Sequence, residues 1–250
     1  MSPHVLWRIA PLLLALVGLV HTSFANDRRF VYSYETTPMA KGAWEIEPWF
    51  TYKHYDDKDR WEFRYELEYG VTDRLTLAAY LSDWRITDPD VGESKAEWRT
   101  AGLEALYALS DPTKDWIGSA LYGEVLIGPE KFAIEGKLLL QKNFGPLAVV
   151  YNAIIEAEWE GEDYDERVGV WENTFGVSYS FSPSFSIGVE ALHEVEFADW
   201  SEAGDHVFYL GPNVSYRTKS TWATLAGLAQ VSDVDGEPEA QVRLIMGFNF

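Results

Sequence analysis

The sequence predicts an all-β protein: a closed antiparallel up-and-down transmembrane β-barrel of about 12 strands. Three observations indicate this fold class. Apolar and polar residues alternate with a period of two along most of the chain, tight turns alternate with longer acidic loops, and a candidate export signal opens the sequence. The 250 residues include 40 Asp and Glu, 20 Lys and Arg, and no cysteine. This composition argues against nucleic acid as a partner and excludes disulfides, Cys-ligated metals and Cys nucleophiles.

Residues 1–25 have the features of a secretory signal peptide. His4 and Arg8 give a weakly basic start, residues 12–20 form an apolar run, and Ser23 and Ala25 are small residues at the two positions that a signal peptidase reads. The apolar run is shorter than the roughly 20 residues that a membrane-spanning helix needs. We expect cleavage after Ala25, a periplasmic or luminal N-terminal segment over residues 26–42, and a barrel over residues 43–250.

Alternation defines the strands. Between Trp61 and Tyr69, five large apolar side chains alternate with four charged ones, which places the two sets on opposite faces of a strand. A helix would scatter the same residues around its circumference. The predicted strands are 43–53, 60–70, 74–84, 97–109, 116–127, 131–142, 147–159, 168–181, 185–197, 206–217, 221–231 and 239–250.

The connections support a membrane barrel. Tight turns rich in Pro, Gly, Asp and Ser lie at 71–73, 111–115, 143–146, 182–184 and 218–220. The other connections are mostly longer and acidic: 54–59, 85–96, 160–167, 198–205 and 232–238, with 128–130 as a short exception. Outer-membrane barrels have short periplasmic turns and longer extracellular loops, and an even number of strands places both termini at the periplasmic end.

Aromatic residues lie near the ends of the predicted strands, on the apolar face. Such residues form the girdles that contact lipid headgroups, whereas a soluble β-sandwich would turn its polar face outward. A soluble periplasmic barrel is the alternative fold. The predicted girdle residues are Trp44, Trp61, Tyr69, Tyr107, Trp159, Phe185 and Phe197.

The C-terminal strand carries apolar residues at every second position and ends in an aromatic residue: Val242, Leu244, Met246, Phe248 and Phe250. This pattern resembles the assembly signal of Gram-negative outer-membrane β-barrel proteins, which the barrel-assembly machinery recognises. Residues 38–47 and 69–77 also resemble the opening of a group of outer-membrane transporter-like proteins that includes the meta-pathway of phenol degradation group. The resemblance implies the fold, an outer-membrane location and contact with membrane lipids and lipopolysaccharide. It implies no catalytic or binding residue.

The face opposite the apolar residues is predicted to line the lumen. We expect a polar, strongly acidic lumen whose excess carboxylates are hydrated, bind cations or hold protons. Since rings of carboxylates attract cations, the working hypothesis is a passive pore for cations or small solutes. The predicted lumen and selectivity residues are Glu45, Glu47, Glu62, Arg64, Glu66, Glu68, Glu104, Glu124, Glu135, Lys137, Glu156, Glu158, Glu172, Glu190 and Arg243.

Two other functions stay open. The lumen of a 12-stranded barrel is small enough for side chains to block it, which would give a structural or surface barrel whose acidic loops bind divalent cations or lipopolysaccharide. A membrane enzyme based on carboxylates is the third reading, because His54, His193 and His206 have no serine partner in a recognisable motif. Residues 233–237 lack the remaining ligands of a calcium loop. No catalytic residue, metal ligand or cofactor is therefore assigned.

Overall fold

The computed structural model describes residues 28–250, which form a single antiparallel sheet. Among these residues, no helix is long and apolar enough to cross a membrane. The predicted signal peptide lies outside the described residues. The strands are β1 (Trp44–His54), β2 (Lys58–Thr72), β3 (Leu75–Pro89), β4 (Lys95–Ser110), β5 (Gly118–Ile127), β6 (Lys131–Phe144), β7 (Leu147–Glu160), β8 (Glu166–Ser182), β9 (Phe185–Ala198), β10 (Glu202–Ala203), β11 (Val207–Arg217), β12 (Thr221–Gln230) and β13 (Ala240–Asn249).

The sheet closes into a barrel of twelve long strands. Each long strand pairs with its neighbours in the chain, and β13 returns to pair with β1, for example through Trp49 opposite Ile245. The two-residue strand β10 pairs only with β9. Closure leaves no free sheet edge, so the backbone groups of the strands are paired within the barrel wall. The predicted fold class and strand number are confirmed.

Both termini of the barrel lie at one end, here called the termini end, and the opposite end is called the loop end. Two loop-end connections are shorter than the sequence predicts, because the strands beside them are longer. β2 begins at Lys58, and β3 continues to Pro89. Ion pairs across the strands keep these polar residues in the ladder: Arg85 lies 3.9 Å from both Glu62 and Glu97. The predicted loops at 54–59 and 85–96 are therefore wrong in extent.

The outer face of the barrel is apolar and exposed. Leu103 and Ile155 in the middle of their strands are each 68% exposed. Aromatic pairs lie nearer the strand ends: the rings of Trp44 and Tyr69 are 4.4 Å apart at the termini end. A broad apolar band with aromatic borders is the outer surface typical of a membrane barrel.

Residues 28–43 are here called the inner segment. Residues 28–39 lie in the termini-end half of the lumen, and Ala40, Lys41 and Gly42 form an exposed turn that leads into β1. Phe30, Val31 and Met39 are at most 1% exposed. Phe30 packs against β8 at Gly176, where a Cβ atom would lie only 2.6 Å from the Phe30 ring. The inner segment thus divides the lumen. A cavity of about 590 Å³ lies beside residues 36–40 at the termini-end mouth, and a second cavity lies at the loop end.

Candidate functional site

The inner segment is fixed by one carboxylate in the middle of β9. Glu190, fully buried, accepts hydrogen bonds from the backbone amides of Val31, Tyr32 and Ser33, each at 2.8 Å. The side-chain amide of Asn213 donates a further bond of 2.8 Å. Hydrogen bonds to a charged acceptor are stronger than neutral ones, so Glu190 compensates three backbone donors that have no β-ladder partner.

The other backbone amides that attach the inner segment to the barrel also donate to side chains of the wall. Wall side chains accept from three more backbone amides: Asn152 from Tyr34 at 2.6 Å, Gln141 from Thr36 at 2.8 Å and Thr76 from Met39 at 2.8 Å. In the described chain, every hydrogen bond between residues 28–41 and the barrel wall involves a side chain on at least one partner. The attachment of residues 28–41 is therefore separate from the backbone ladder of the barrel, whereas Gly42 and Ala43 make backbone hydrogen bonds to Gly70 on β2.

Four buried glutamates face the inner segment from β1 and β2. Glu45 lies opposite Glu68 in the strand register, and Glu47 lies opposite Glu66. These four residues, here called the carboxylate cluster, are each at most 6% exposed. Among the described residues, only Arg28 of the inner segment lies within ion-pair distance of the cluster, with Nη1 3.2 Å from Glu47 Oε2. Like charges opposite each other in a sheet repel, so four acidic side chains beside one guanidinium need a further cation or protons to balance them.

A cavity of about 390 Å³, here called the vestibule, occupies the loop-end half of the lumen. Its floor is formed by Tyr32 and Tyr34 of the inner segment together with Trp49. The charged residues that line the vestibule are Lys53, Arg60, Arg64, Arg85, Lys131, Lys137 and Arg243, with Glu124, Glu135, Glu156, Glu158, Glu160, Glu172, Glu194, Glu196 and Glu237. Seven cations against nine carboxylates make the vestibule nearly balanced in charge.

The cations lie mostly on one side of the vestibule. The basic wall consists of Lys53, Arg60, Arg64, Arg85, Arg99 and Arg243, which lie on β13 and β1 to β4. Six carboxylates lie within 4.0 Å of four of these cations: Glu62, Asp83, Glu97, Glu124, Glu130 and Glu160. Arg64 lies 3.4 Å from Asp83, while Lys53 and Arg85 share Glu62 at 3.5 and 3.9 Å. Arg243 instead lies over the Tyr32 ring at 4.5 Å.

The carboxylates lie mainly on the opposite side. The acidic wall consists of Glu156, Glu158, Glu172, Glu194 and Glu196 on β7, β8 and β9. In the ring of twelve long strands, β8 is six strands from β2 in either direction, so the two walls face each other. Lys131 sits at the edge of the acidic wall, with Nζ 2.6 Å from Glu158. The vestibule therefore has cations mainly on one side and carboxylates mainly on the other, an arrangement that produces an electric field across the lumen.

The other predicted lumen residues lie on the inner face of their strands. Glu104 accepts hydrogen bonds from the hydroxyls of Tyr80 and Tyr122, and the Tyr122 hydroxyl lies 2.6 Å from Glu124. Lys137 lies 2.9 Å from Glu135 on the same strand. Glu104, Glu124 and Glu135 are thus each held by a neighbouring side chain, and Glu124 and Glu135 also line the vestibule.

Of the predicted girdle residues, Trp44, Trp61, Tyr107 and Phe185 are exposed on the outer face, and Tyr69, Trp159 and Phe197 are half-buried there. Trp159 is partly covered by Trp200 of the loop after β9, with ring centroids 5.1 Å apart. In the predicted assembly signal, Val242, Phe248 and Phe250 are exposed, and Leu244 and Met246 are half-buried.

The acidic loops form the rim of the vestibule. The loop at 161–165 packs on the hairpin at 128–130: Tyr164 donates to the Gly128 carbonyl, and the Gly161 amide donates to the Glu130 carbonyl at 3.1 Å. On the loop before β13, a hydrogen bond with Asp56 raises the pKa of Glu239 above its usual range. The rim is therefore acidic and exposed to solvent.

The three histidines of residues 28–250 lie apart from the lumen. His193, on the outer face of β9, lies 2.8 Å from His206 and 3.0 Å from the side-chain amide of Asn173. His54 lies 2.8 Å from Asp59 at the loop end. Among the described residues, no serine hydroxyl is hydrogen-bonded to a histidine. A nucleophile activated by a neighbouring base is therefore not assembled in this part of the chain.

Sequence reasoning missed the residues that hold the inner segment: Arg28, Thr76, Gln141 and Asn152. It also missed Lys53, Arg60 and Arg85 of the basic wall. The sequence contained an indication of two of these residues. Gln141 and Asn152 occupy inward positions of otherwise apolar stretches, and a buried amide needs a hydrogen-bonding partner.

The family model for the family of unknown function DUF6662 matches residues 22–250. The chain belongs to this family. A comparison of this chain with curated proteins found no significant match.

Among solved structures, the DUF6662 barrel is similar to the KdgM porin in complex with disordered oligogalacturonate. The TM-score is 0.54 at 11% identity, over 82% of this chain and 99% of that chain. It is also similar to the NanC porin, with a TM-score of 0.53 at 10% identity over 82% and 98% of the two chains. A third similar structure is LpxR from Salmonella typhimurium, with a TM-score of 0.54 at 11% identity over 83% of this chain and 99% of that chain. At these identities the similarity establishes the outer-membrane barrel fold.

Proposed function

We propose that this protein is a gated outer-membrane pore for small polar solutes, with a preference for cations, and that the inner segment is its gate. The attachment of residues 28–41 carries the proposal. A segment held by wall side chains can be released while the barrel stays closed, whereas a strand of the sheet could not leave in this way. The exposed apolar band would contact outer-membrane lipids and lipopolysaccharide, with residues 1–25 directing export and the C-terminal strand engaging the assembly machinery.

The preference for cations follows from the loss of Arg28 from the lumen when the gate opens. When the inner segment leaves, Arg28 leaves too, and the carboxylate cluster then lines the open passage without its nearest cation. Carboxylates around a narrow passage attract cations and repel anions. The basic wall opposes this effect at the loop end, so we expect a moderate cation preference rather than strict selectivity.

Single-channel recording in planar bilayers tests the proposal. We would compare the chain of residues 26–250 with a variant that lacks residues 28–40, after showing that both are folded and inserted. The full chain should give brief or infrequent openings, and the deletion variant should stay open much longer with a cation-selective reversal potential. Substituting Glu66→Gln together with Glu156→Gln should reduce that selectivity.

Two results would overturn the proposal. Silence from an inserted deletion variant would show that the barrel does not conduct, and would favour a structural or surface role. Identical conductance and open times in both proteins would show that the inner segment does not gate the lumen.

A further inference from the structure

Three carboxylates of the cluster converge on one point of the lumen. One oxygen from each of Glu45, Glu47 and Glu68 lies within 4.8 Å of the other two. Two oxygens bound to the same Ca²⁺ at about 2.4 Å can be at most about 4.8 Å apart. The spacing therefore fits three ligands around one ion of this size.

The two glutamates on β1 are oriented by tryptophans. Trp222 Nε1 donates to Glu45 Oε2 at 2.9 Å, and Trp49 Nε1 donates to Glu47 Oε2 at 3.1 Å. Oε1 of each glutamate is buried and has no hydrogen-bond donor. One oxygen of each carboxylate is thus fixed by an outer donor while the other is unpartnered, the arrangement in which outer-shell donors orient metal ligands.

Glu66 provides an independent indication of a missing positive charge. It is 1% exposed, lies opposite Glu47 in the strand register, and has both carboxylate oxygens buried without a donor. Arg28 supplies one positive charge to the four glutamates. Removing unpaired charges from water costs several kcal/mol per ion, so a bound cation would stabilise this arrangement.

The backbone near the cluster fits the same interpretation. A Cβ atom at Gly247 on β13 would lie 2.0 Å from Trp222 Nε1 and 2.8 Å from Glu45 Oε2. Only glycine at this position leaves the indole room to reach the carboxylate. The hydrogen bond from Trp222 to Glu45 therefore depends on glycine at position 247 of the barrel wall.

We propose that Glu45, Glu47 and Glu68 bind one divalent cation of calcium size inside the lumen, with Glu66 adding negative charge beside it. The ion also lies next to the inner segment, because Arg28 is bonded to Glu47. This site goes beyond the pore function and is distinct from the acidic loops at the rim. It can be tested on protein in detergent, without any measurement of conductance.

Terbium luminescence is the direct test, because Tb³⁺ occupies calcium sites and accepts excitation energy from nearby tryptophans, here Trp49 and Trp222. Full-length mature protein, folded in detergent and treated with chelator, is titrated with Tb³⁺ and then with Ca²⁺. We expect one saturable site from which Ca²⁺ displaces Tb³⁺. Equilibrium dialysis should count one Ca²⁺ per chain.

Matched variants locate the ion. Glu45→Gln with Glu68→Gln should weaken Tb³⁺ binding at least tenfold, whereas Glu162→Gln with Asp163→Asn in the acidic loop should leave the site unchanged. Trp222→Phe keeps all the carboxylates and should weaken binding severalfold while Trp49 still reports it. Equal affinity in the Glu45/Glu68 variant and the native protein, loss of binding only in the loop variant, or a melting temperature of the native protein that Ca²⁺ does not change would each overturn the proposal.

Discussion

The two halves of the lumen are built on the same strands, yet the inner segment packs into one half and leaves the other to charged side chains of the wall. At the termini end, the inner segment packs against small inward residues, whereas at the loop end long charged side chains surround a cavity of about 390 Å³. The small inward residues are Ala78, Ala120, Ala148, Gly176, Ser178, Ser215, Thr224 and Ala226. The size of the inward side chains therefore decides where a barrel of this diameter accepts a segment of its own chain.

The halves also differ in charge. The carboxylate cluster at the termini end has four acids and one nearby guanidinium, while the vestibule has nine carboxylates and seven cations. The excess of acids in the carboxylate cluster is costly because the cluster is buried. The small excess in the vestibule costs little because solvent screens it. Substitutions should thus affect stability at the termini end and selectivity at the loop end.

The largest effect is expected from Glu190→Ala. It leaves the backbone amides of Val31, Tyr32 and Ser33 without an acceptor, and each buried unsatisfied donor costs about 1–3 kcal/mol. We expect a loss of about 3 kcal/mol or more, measured by reversible unfolding in detergent. A cysteine at Ser33, which is 1% exposed in the native protein, should become reactive to a thiol reagent.

Glu196→Ala is the matched control, since it removes a carboxylate from the same strand at the exposed rim of the acidic wall. It should change neither the free energy of unfolding nor the reactivity of a cysteine at position 33. If Glu190→Ala behaves like this control, the inner segment is not held at Glu190.

A smaller loss is expected from Gly176→Ala. The new methyl group would lie 2.6 Å from Phe30 and 2.9 Å from Val150, and such overpacking costs about 1–3 kcal/mol. Gly136→Ala is the control, because a Cβ atom there meets nothing within 4 Å. The two unfolding free energies should differ by at least about 1 kcal/mol. Equal values would mean that Phe30 does not pack on β8.

Opposite shifts in selectivity are expected from one substitution in each wall of the vestibule. Arg243→Gln should raise the preference for cations, and Glu156→Gln should lower it. The interaction of unit charges at 4 Å in water is about 1 kcal/mol, so each permeability ratio should change by at most about fivefold. Reversal potentials of the variant lacking residues 28–40 measure both shifts. Shifts of the same sign would contradict the division into two walls.

The smallest effect is expected at the termini-end turn after β4. Lys114 Nζ, at 2.8 Å, and the Thr113 hydroxyl and amide lower the pKa of Asp111. A depressed folded pKa means that the stabilising contribution is fully present above the unfolded pKa of about 3.9 and is lost as pH falls through the folded pKa. Asp111→Asn should remove a slight pH dependence below about pH 4. The difference between acid unfolding curves, with Asp115→Asn as control, measures it.

The strands were predictable because alternation is a local property of the sequence. The ladder from Trp61 to Tyr69 needs no knowledge of distant residues, and a ring of twelve strands follows from the number of such segments. Even the two walls follow from that ring, since counting strands places Arg64 on β2 opposite Glu172 on β8. The sequence prediction summed the charges of the lumen and did not assign them to its sides.

The inner segment could not be predicted in the same way. Residues 28–43 show no period, and their partners lie far away in sequence: Thr36 bonds to Gln141, and Val31 to Glu190. Side-chain hydrogen bonds of this kind leave no local pattern, so the sequence allowed either a periplasmic or a luminal position. The same limit applies to Glu45 and Glu68, whose inward phase was predictable but whose convergence depends on the strand register.

The position of the inner segment constrains the order of assembly. The carbonyl of Arg28, at the start of the described chain, accepts hydrogen bonds from Ser215 and Thr224, which are 187 and 196 residues further along. Those partners are in place only when nearly the whole chain has paired, and contacts of such long separation form slowly. The inner segment therefore reaches its final position only after the last strands have formed.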